Sequence, residues 1–253
     1  MNRARTTAVA GSSAAAAAAA VVGLADAARE NEGPARLDPG LANHVDHWRS
    51  GPLTLLAHTL TFVGSEVVVT LAAAVLMVVL LRRRWYAETA AVGVGMVGSA
   101  AMIVGIKHLV MRARPPAVDR LGPVDHSFSF PSGHTLNSAI FLGLLVLAFG
   151  WWLTPRPRRW VVAFALSLAI GIGLSRLYLG YHWGTDVLAS WLLAAAWLAV
   201  VAAMMPLLRR VADLVFRRES GALRDPDPQN GPPTGGRRDR RDVPWSTTSP
   251  SGS

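Results

Sequence analysis

Five long apolar segments constrain this chain more than anything else in it: residues 57–81, 86–107, 133–153, 160–178 and 185–208. A helix needs about 20 apolar residues to cross the hydrocarbon core of a bilayer, and each segment is close to that length. The segments follow one another through short connections and are rich in Gly, Ala, Ser and Thr, which let helices pack closely in lipid. Helices buried in a soluble core would not recur so often with so little between them. The expected fold class is all-α, a polytopic membrane helical bundle. Composition agrees, with 51% hydrophobic residues and only 16% charged, against about 25% charged in soluble domains.

The net charge of +9 comes from arginines in connections and in the tail, with no basic stripe interleaved with aromatics, which argues against nucleic acid as a partner. The absence of cysteine removes disulfides, thiolate nucleophiles and cysteine-ligated metals. Ahead of the five segments, Arg3 and Arg5 precede an Ala-rich stretch that ends in Ala25-Asp26-Ala27. Residues 1–28 read either as a first transmembrane helix, giving six, or as a cleaved signal, leaving five. Both put the external segment 29–56 on the same side. Arg82–Arg84, Arg156, Arg158 and Arg159, and Arg209, Arg210, Arg217 and Arg218 then fall together on the opposite, cytoplasmic side. Trp85, Trp151, Trp152 and Trp160 fit an aromatic belt at that boundary. A membrane domain over 57–216 is followed by residues 217–253, rich in Pro, Gly, Arg, Asp and Ser and expected to be a disordered cytoplasmic tail.

Three polar motifs interrupt the apolar pattern, and this topology puts all three on the outer face. The first is KHLVMRARP, residues 107–115. Lys107 supplies a point charge and Arg114 a planar fork, together able to neutralise several oxygens of a phosphate. The second, PSGH at 131–134, opens a helix with Ser132 at the N-cap. Its backbone N–H groups and positive helix end would face an anion, Gly133 permits close approach, and His134 stands ready to protonate a leaving alkoxide. The third, SRLYLGYHWGTD at 175–186, contributes Arg176 and a histidine, His182, four residues before Asp186. A carboxylate held against one imidazole nitrogen raises the basicity of the other, which is how a histidine becomes a nucleophile. Each motif alone has an ordinary reading: snorkelling cations, a capped helix start, a paired histidine. All three on one face of one bundle point to a single phosphate site.

The pattern K-x6-RP, PSGH and SR-x5-H-x3-D resembles the signature of the type-2 phosphatidic acid phosphatase superfamily, the lipid phosphate phosphatases. The resemblance implies six spans and a metal-independent, cofactor-free phosphatase with an outward site. It makes His182 the nucleophile that forms a phosphohistidine, Asp186 its orienting partner and His134 the acid. Lys107, Arg114, Ser132, Gly133 and Arg176 become the phosphate cradle. The expected partners are a lipid phosphate substrate, such as undecaprenyl diphosphate, phosphatidic acid or phosphatidylglycerol phosphate, and membrane lipids. Phosphoryl transfer to another acceptor uses the same residues, and the superfamily also includes soluble vanadate-dependent haloperoxidases. Elsewhere, His44, Asp46 and His47 form one local cluster without a partner for a metal site, Glu66 lies inside the first long segment, and Arg112 reads as an auxiliary phosphate contact or an interfacial arginine. Tyr178, Tyr181 and Trp183 read as anchors at the outer interface.

Overall fold

The structure, a computed structural model, describes residues 3–222, and every regular element among them is helical. The order is α1 (Arg3–Glu30), α2 (Asp38–Asp46), α3 (Gly51–Val63), α4 (Glu66–Arg82), α5 (Tyr86–Val110), α6 (Gly133–Phe149), α7 (Pro155–Tyr178) and α8 (Gly184–Ala222). Among the described residues, 3–214 belong to one compact unit and 215–222 to a second. The helices that carry the polar motifs belong to the first. Residues 217–222 continue α8, and the rest of the expected tail, 223–253, lies outside the described residues.

α6 sits at the centre. Leu136, Ile140, Leu144 and Ala148 recur every four residues and so share one face. They are buried against Leu76 and Leu80 of α4, Ala91 and Val92 of α5, and Ala194 and Val201 of α8. At 17 residues α6 is only about 25 Å long, short of the ~30 Å hydrocarbon core. A short helix is tolerated because neighbouring helices enclose it, so its ends meet protein. Close packing depends on missing side chains: a Cβ on Gly98 would lie 2.2 Å from the indole of Trp197, and one on Gly143 would lie 2.2 Å from Leu198. Trp197 also donates its Nε1–H to the carbonyl of Gly95 at 3.0 Å, fixing α8 to α5.

The outward faces are apolar. Val67, Leu71 and Val75 on α4, Val97 and Val104 on α5, and Phe164, Leu166 and Ile170 on α7 are all exposed. A surface of this kind suits lipid and would be a liability in water. Among the described residues, three helices are long and apolar enough to cross a membrane: α5, α7 and α8 over Gly184–Phe216. A fourth span arises if α3 and α4 count as one, although they meet at a 45° bend.

That bend corrects the expectation of one straight segment over 57–81. The Ser65 hydroxyl accepts the Val68 N–H at 3.4 Å and starts a new helix. Gly64 beside it lies so close to Ile172 of α7 that a Cβ would sit 2.4 Å from its side chain. Glu66 is therefore in the first turn of α4 and exposed, where a carboxylate suits the positive helix end. It sits at the bend between α3 and α4. α5 also runs three residues past its expected end, to Val110, and stops at Met111 in the left-handed region (φ 49°). At the other end of the unit, Leu24 and Ala28 of α1 are buried with Val110, Phe130 and Ala189.

Candidate active site

The chain leaves α5 at Met111, crosses residues 112–132 and enters α6, while the short loop 179–183 joins α7 to α8. These loops bring the polar motifs together. Lys107, Arg114, Gly133, His134 and His182 line one cavity of about 460 Å³, joined by Glu66, Asp125, Ser127 and Asn137. The other wall is apolar, built by Ala73, Ala74 and Met77 of α4 and Met96, Val97, Ala100, Ile103 and Val104 of α5. Ala74, Val97 and Val104 also face outward, so the cavity opens sideways between α4 and α5 onto the apolar flank.

His182 is 2% exposed. Its Nε2 lies 3.1 Å from Arg114 Nη1, and its Nδ1 lies 3.4 Å from both Asp186 Oδ2 and Ser129 Oγ. An Nδ1–H facing the carboxylate leaves the Nε2 lone pair toward Arg114, a tautomer assigned from these partners. Asp186 is fully buried and accepts hydrogen bonds from Ser129 Oγ (2.5 Å), the Trp183 N–H (2.9 Å) and Arg112 Nη1 (2.6 Å).

Arg114 is held as a fork. Its Nε donates to the Ser127 carbonyl (2.7 Å), its Nη2 to Ser127 Oγ (2.9 Å) and Asp125 Oδ2 (2.7 Å), and its Nη1 to the Tyr181 carbonyl (2.8 Å). Lys107 Nζ reaches Ser127 Oγ (2.8 Å) and the Phe128 carbonyl (2.7 Å). Burial favours the neutral form of Arg114, and the Asp125 carboxylate opposes that. Burial alone would raise Asp125, but the Ser127 N–H and Arg114 outweigh it and hold the carboxyl below its usual range.

Two cradle residues sit differently from expectation. Ser132 occupies the N-cap position, but its backbone N–H goes to Ser190 Oγ (2.9 Å) and its hydroxyl accepts from Thr135 Oγ1 (2.9 Å). It is fully buried and ties α6 to α8. Arg176 is buried with its guanidinium 3.9 Å above the Tyr181 ring, Nη1 on Thr61 Oγ1 (2.7 Å) and Nε without a partner among the described residues.

Residues 88–210 match the sequence model of the PAP2 superfamily. That match covers just under half of the chain. Over 78 residues it is 44% identical to phosphatidylglycerophosphatase B of Escherichia coli (strain K12), a match covering 28% of this chain and 29% of that protein. Over 118 residues it is 30% identical to the undecaprenyl-diphosphatase of Sulfolobus acidocaldarius, covering 44% and 53%. The chain thus matches less than two thirds of either relative. In fold it is similar to a transmembrane PAP2-type phosphatidylglycerolphosphate phosphatase of Bacillus subtilis, with TM-score 0.66 and 21% identity over 76% of this chain and 94% of that one.

Several polar groups in and around this region escape motif reading. Asp125 and Ser127 lie between the first two motifs, where the Ser127 N–H donates to Asp125 Oδ1 (2.9 Å) in the manner of an Asx turn. The only sequence signal for them is that local Asp-x-Ser pattern. Arg112 is neither a phosphate contact nor an interfacial arginine. It is 8% exposed and bonded to two carboxylates, Asp186 and Asp38. The three outer aromatics are also internal parts: Tyr181 lies under Arg176, the Tyr178 hydroxyl bonds Thr54 Oγ1 (3.0 Å), and Trp183 Nε1 donates to the Ala113 carbonyl (2.9 Å). In the segment before α3, Asp46 pairs with Arg49 (2.7 Å), His47 Nδ1 meets the Asn43 carbonyl (2.8 Å) and His44 packs on Trp48.

The His182 environment has a measurable consequence. Burial first, then the charges of Arg114 and Arg176, push its ring from the ordinary 6.5 down to about 4. Between those values the unfolded chain binds a proton that the folded one does not, so stability falls as pH drops from 6.5 toward 4. Thermal unfolding in detergent should show Tm declining across that window, and His182→Asn should flatten the decline. An equal slope in the variant would assign the acid sensitivity to other groups.

Proposed function

We propose that this chain is a membrane phosphatase that removes phosphate from a lipid phosphate or diphosphate through a phosphohistidine on His182. The observation that carries the reading is the cavity itself. One end gathers Lys107, Arg114, His134 and His182, and the other is an apolar wall open to the flank of the bundle. A phosphate on a long hydrocarbon chain is the ligand that matches both ends.

In the proposed reaction His182 Nε2 attacks phosphorus. The phosphorus–oxygen bond to the leaving group breaks, its electron pair stays on that oxygen, and His134 supplies the proton. Water, deprotonated by His134, then attacks phosphorus and returns the electron pair to Nε2. Lys107, Arg114 and Arg176 balance the charge on the phosphoryl oxygens, where most catalysis of phosphoryl transfer resides. Gly133, at the start of α6 and lining the cavity, leaves room for the oxygens to approach the backbone.

The topology proposed has six spans: α1, the bent pair α3–α4, α5, α6, α7 and α8. It places the cavity outside and the arginine-rich connections inside. The names of the relatives suggest phosphatidylglycerol phosphate and undecaprenyl diphosphate as substrates to test first. The test is to mix purified full chain with lipid carrying a 32P-labelled terminal phosphate, in the presence of chelator, and to quench within milliseconds. The expected result is protein-bound label that is acid-labile and base-stable, as a phosphohistidine is. Steady phosphate release with no such label at any quench time would overturn the covalent route.

A further inference from the structure

Arg112 is buried between two carboxylates, and nothing in the proposed phosphate cradle uses it. Its Nη1 donates to Asp186 Oδ1 (2.6 Å) and Thr185 Oγ1 (2.7 Å), and its Nη2 to Asp38 Oδ2 (2.8 Å). Asp38 begins α2, 147 residues before Thr185, yet its Oδ1 accepts the Thr185 N–H at 3.0 Å and its Oδ2 accepts the Thr185 hydroxyl. The side chains of Arg112, Asp38 and Asp186 are 7%, 3% and 0% exposed. A buried ion cluster is a weak source of stability, because desolvation offsets most of its attraction. Its charge is the informative property.

Asp186 bonded to Arg112 alone would be a neutral pair, a poor partner for a ring that becomes cationic. Asp38 adds the second negative charge. With His182 neutral, the cluster of Asp38, Arg112 and Asp186 then carries one net negative charge immediately behind the imidazole. Phosphorylation at Nε2 with Nδ1–H retained makes the ring cationic, and that single negative charge balances it. The same contacts fix Asp186 in place, since Arg112 holds Oδ1 while Ser129 and the Trp183 N–H hold Oδ2.

We infer that Asp38 and Arg112 are positioning residues for the His182–Asp186 pair, with Asp38 restoring the negative charge that Arg112 would otherwise cancel. This rests on the phosphohistidine reading. Charge logic separates it from a latch that merely holds α2 against α8. Asp38→Asn leaves Asp186 neutralised by Arg112, while Arg112→Gln leaves two carboxylates facing each other. The double variant Asp38→Asn/Arg112→Gln returns a lone Asp186 carboxylate and one negative charge.

The experiment measures kcat, KM and the rate of phosphoenzyme formation for wild type, the two single variants, the double variant and His182→Ala. All are used as full chain in one detergent, with melting curves to check folding. Asp38→Asn should lose about 10- to 100-fold in kcat and in phosphoenzyme formation, the range typical of residues supporting a ligating or catalytic group. KM should stay within about twofold, and the double variant should be several-fold more active than Asp38→Asn. Wild-type kinetics in a folded Asp38→Asn would overturn the inference, as would a double variant whose losses multiply. If Asp38→Asn is not recovered folded, the double variant decides: activity below that of Arg112→Gln overturns the inference, and activity above it supports the charge balance. A wild type with no phosphate release, or a His182→Ala as active as wild type, would instead sink the phosphohistidine reading.

Discussion

Replacing His182 by alanine is expected to lower kcat for phosphate release on the order of 10⁴-fold or more, the scale seen when one member of a nucleophile–base unit is removed. The alternative groups are poorly placed to substitute. Ser129 Oγ is fully buried and bonded to Asp186, and Ser127 Oγ is taken up by Lys107 and Arg114. KM should change little, because the cations that would bind phosphate remain. Steady-state assay of the purified variant decides the matter, and a fall of less than about tenfold would remove His182 from the covalent step. The variant should also fail to accumulate the acid-labile label.

Arg114→Ala should have the next largest effect, about 10²- to 10³-fold in kcat, comparable with losing a preorganised donor to a developing anion. Arg114 bridges the loop carrying Asp125 and Ser127 to the Tyr181–His182 segment, through the Ser127 and Tyr181 carbonyls. Lysine is not expected to rescue it, because an ammonium cannot reproduce a planar fork that makes contacts in several directions. Lys107→Ala should cost less, since Lys107 acts as a point charge with two neighbours. If Arg114→Lys retains wild-type kcat, the fork geometry is irrelevant and only the charge matters. A melting curve run beside the assay separates loss of chemistry from loosening of residues 125–129.

The convergence of Lys107, Arg114, Gly133, His134 and His182 on one cavity was legible because each motif is a local pattern at a helix end. Where helix ends fall follows from prolines, small residues and the limits of apolar runs. Other features depend on long-range geometry. No local signal pairs Asp38 with Arg112 across 74 residues, or sends the Ser132 N–H to Ser190 across 58. The break at Gly64–Ser65 was hidden for the opposite reason: the apolar pattern from 57 to 81 is unbroken, and only the packing of Gly64 on Ile172 reveals where the chain turns. Tyr181 shows the same limit. An aromatic near a membrane boundary reads as an interface anchor until the cation lying 3.9 Å above its ring is known.

The sideways opening between α4 and α5 changes the kind of quantity that describes saturation. With Ala74, Val97 and Val104 both lining the cavity and facing the flank, the hydrocarbon chain of the proposed lipid substrate would stay in the bilayer while only its headgroup moved. Each CH₂ withdrawn into water would cost about 0.8 kcal/mol, so arrival from the aqueous phase is closed to a long-chain lipid. Encounter is then a two-dimensional search, governed by crowding in one leaflet and by its fluidity. For the substrate proposed, a Michaelis constant belongs in mole fraction of a surface, and the volume of buffer around the membrane has no place in it.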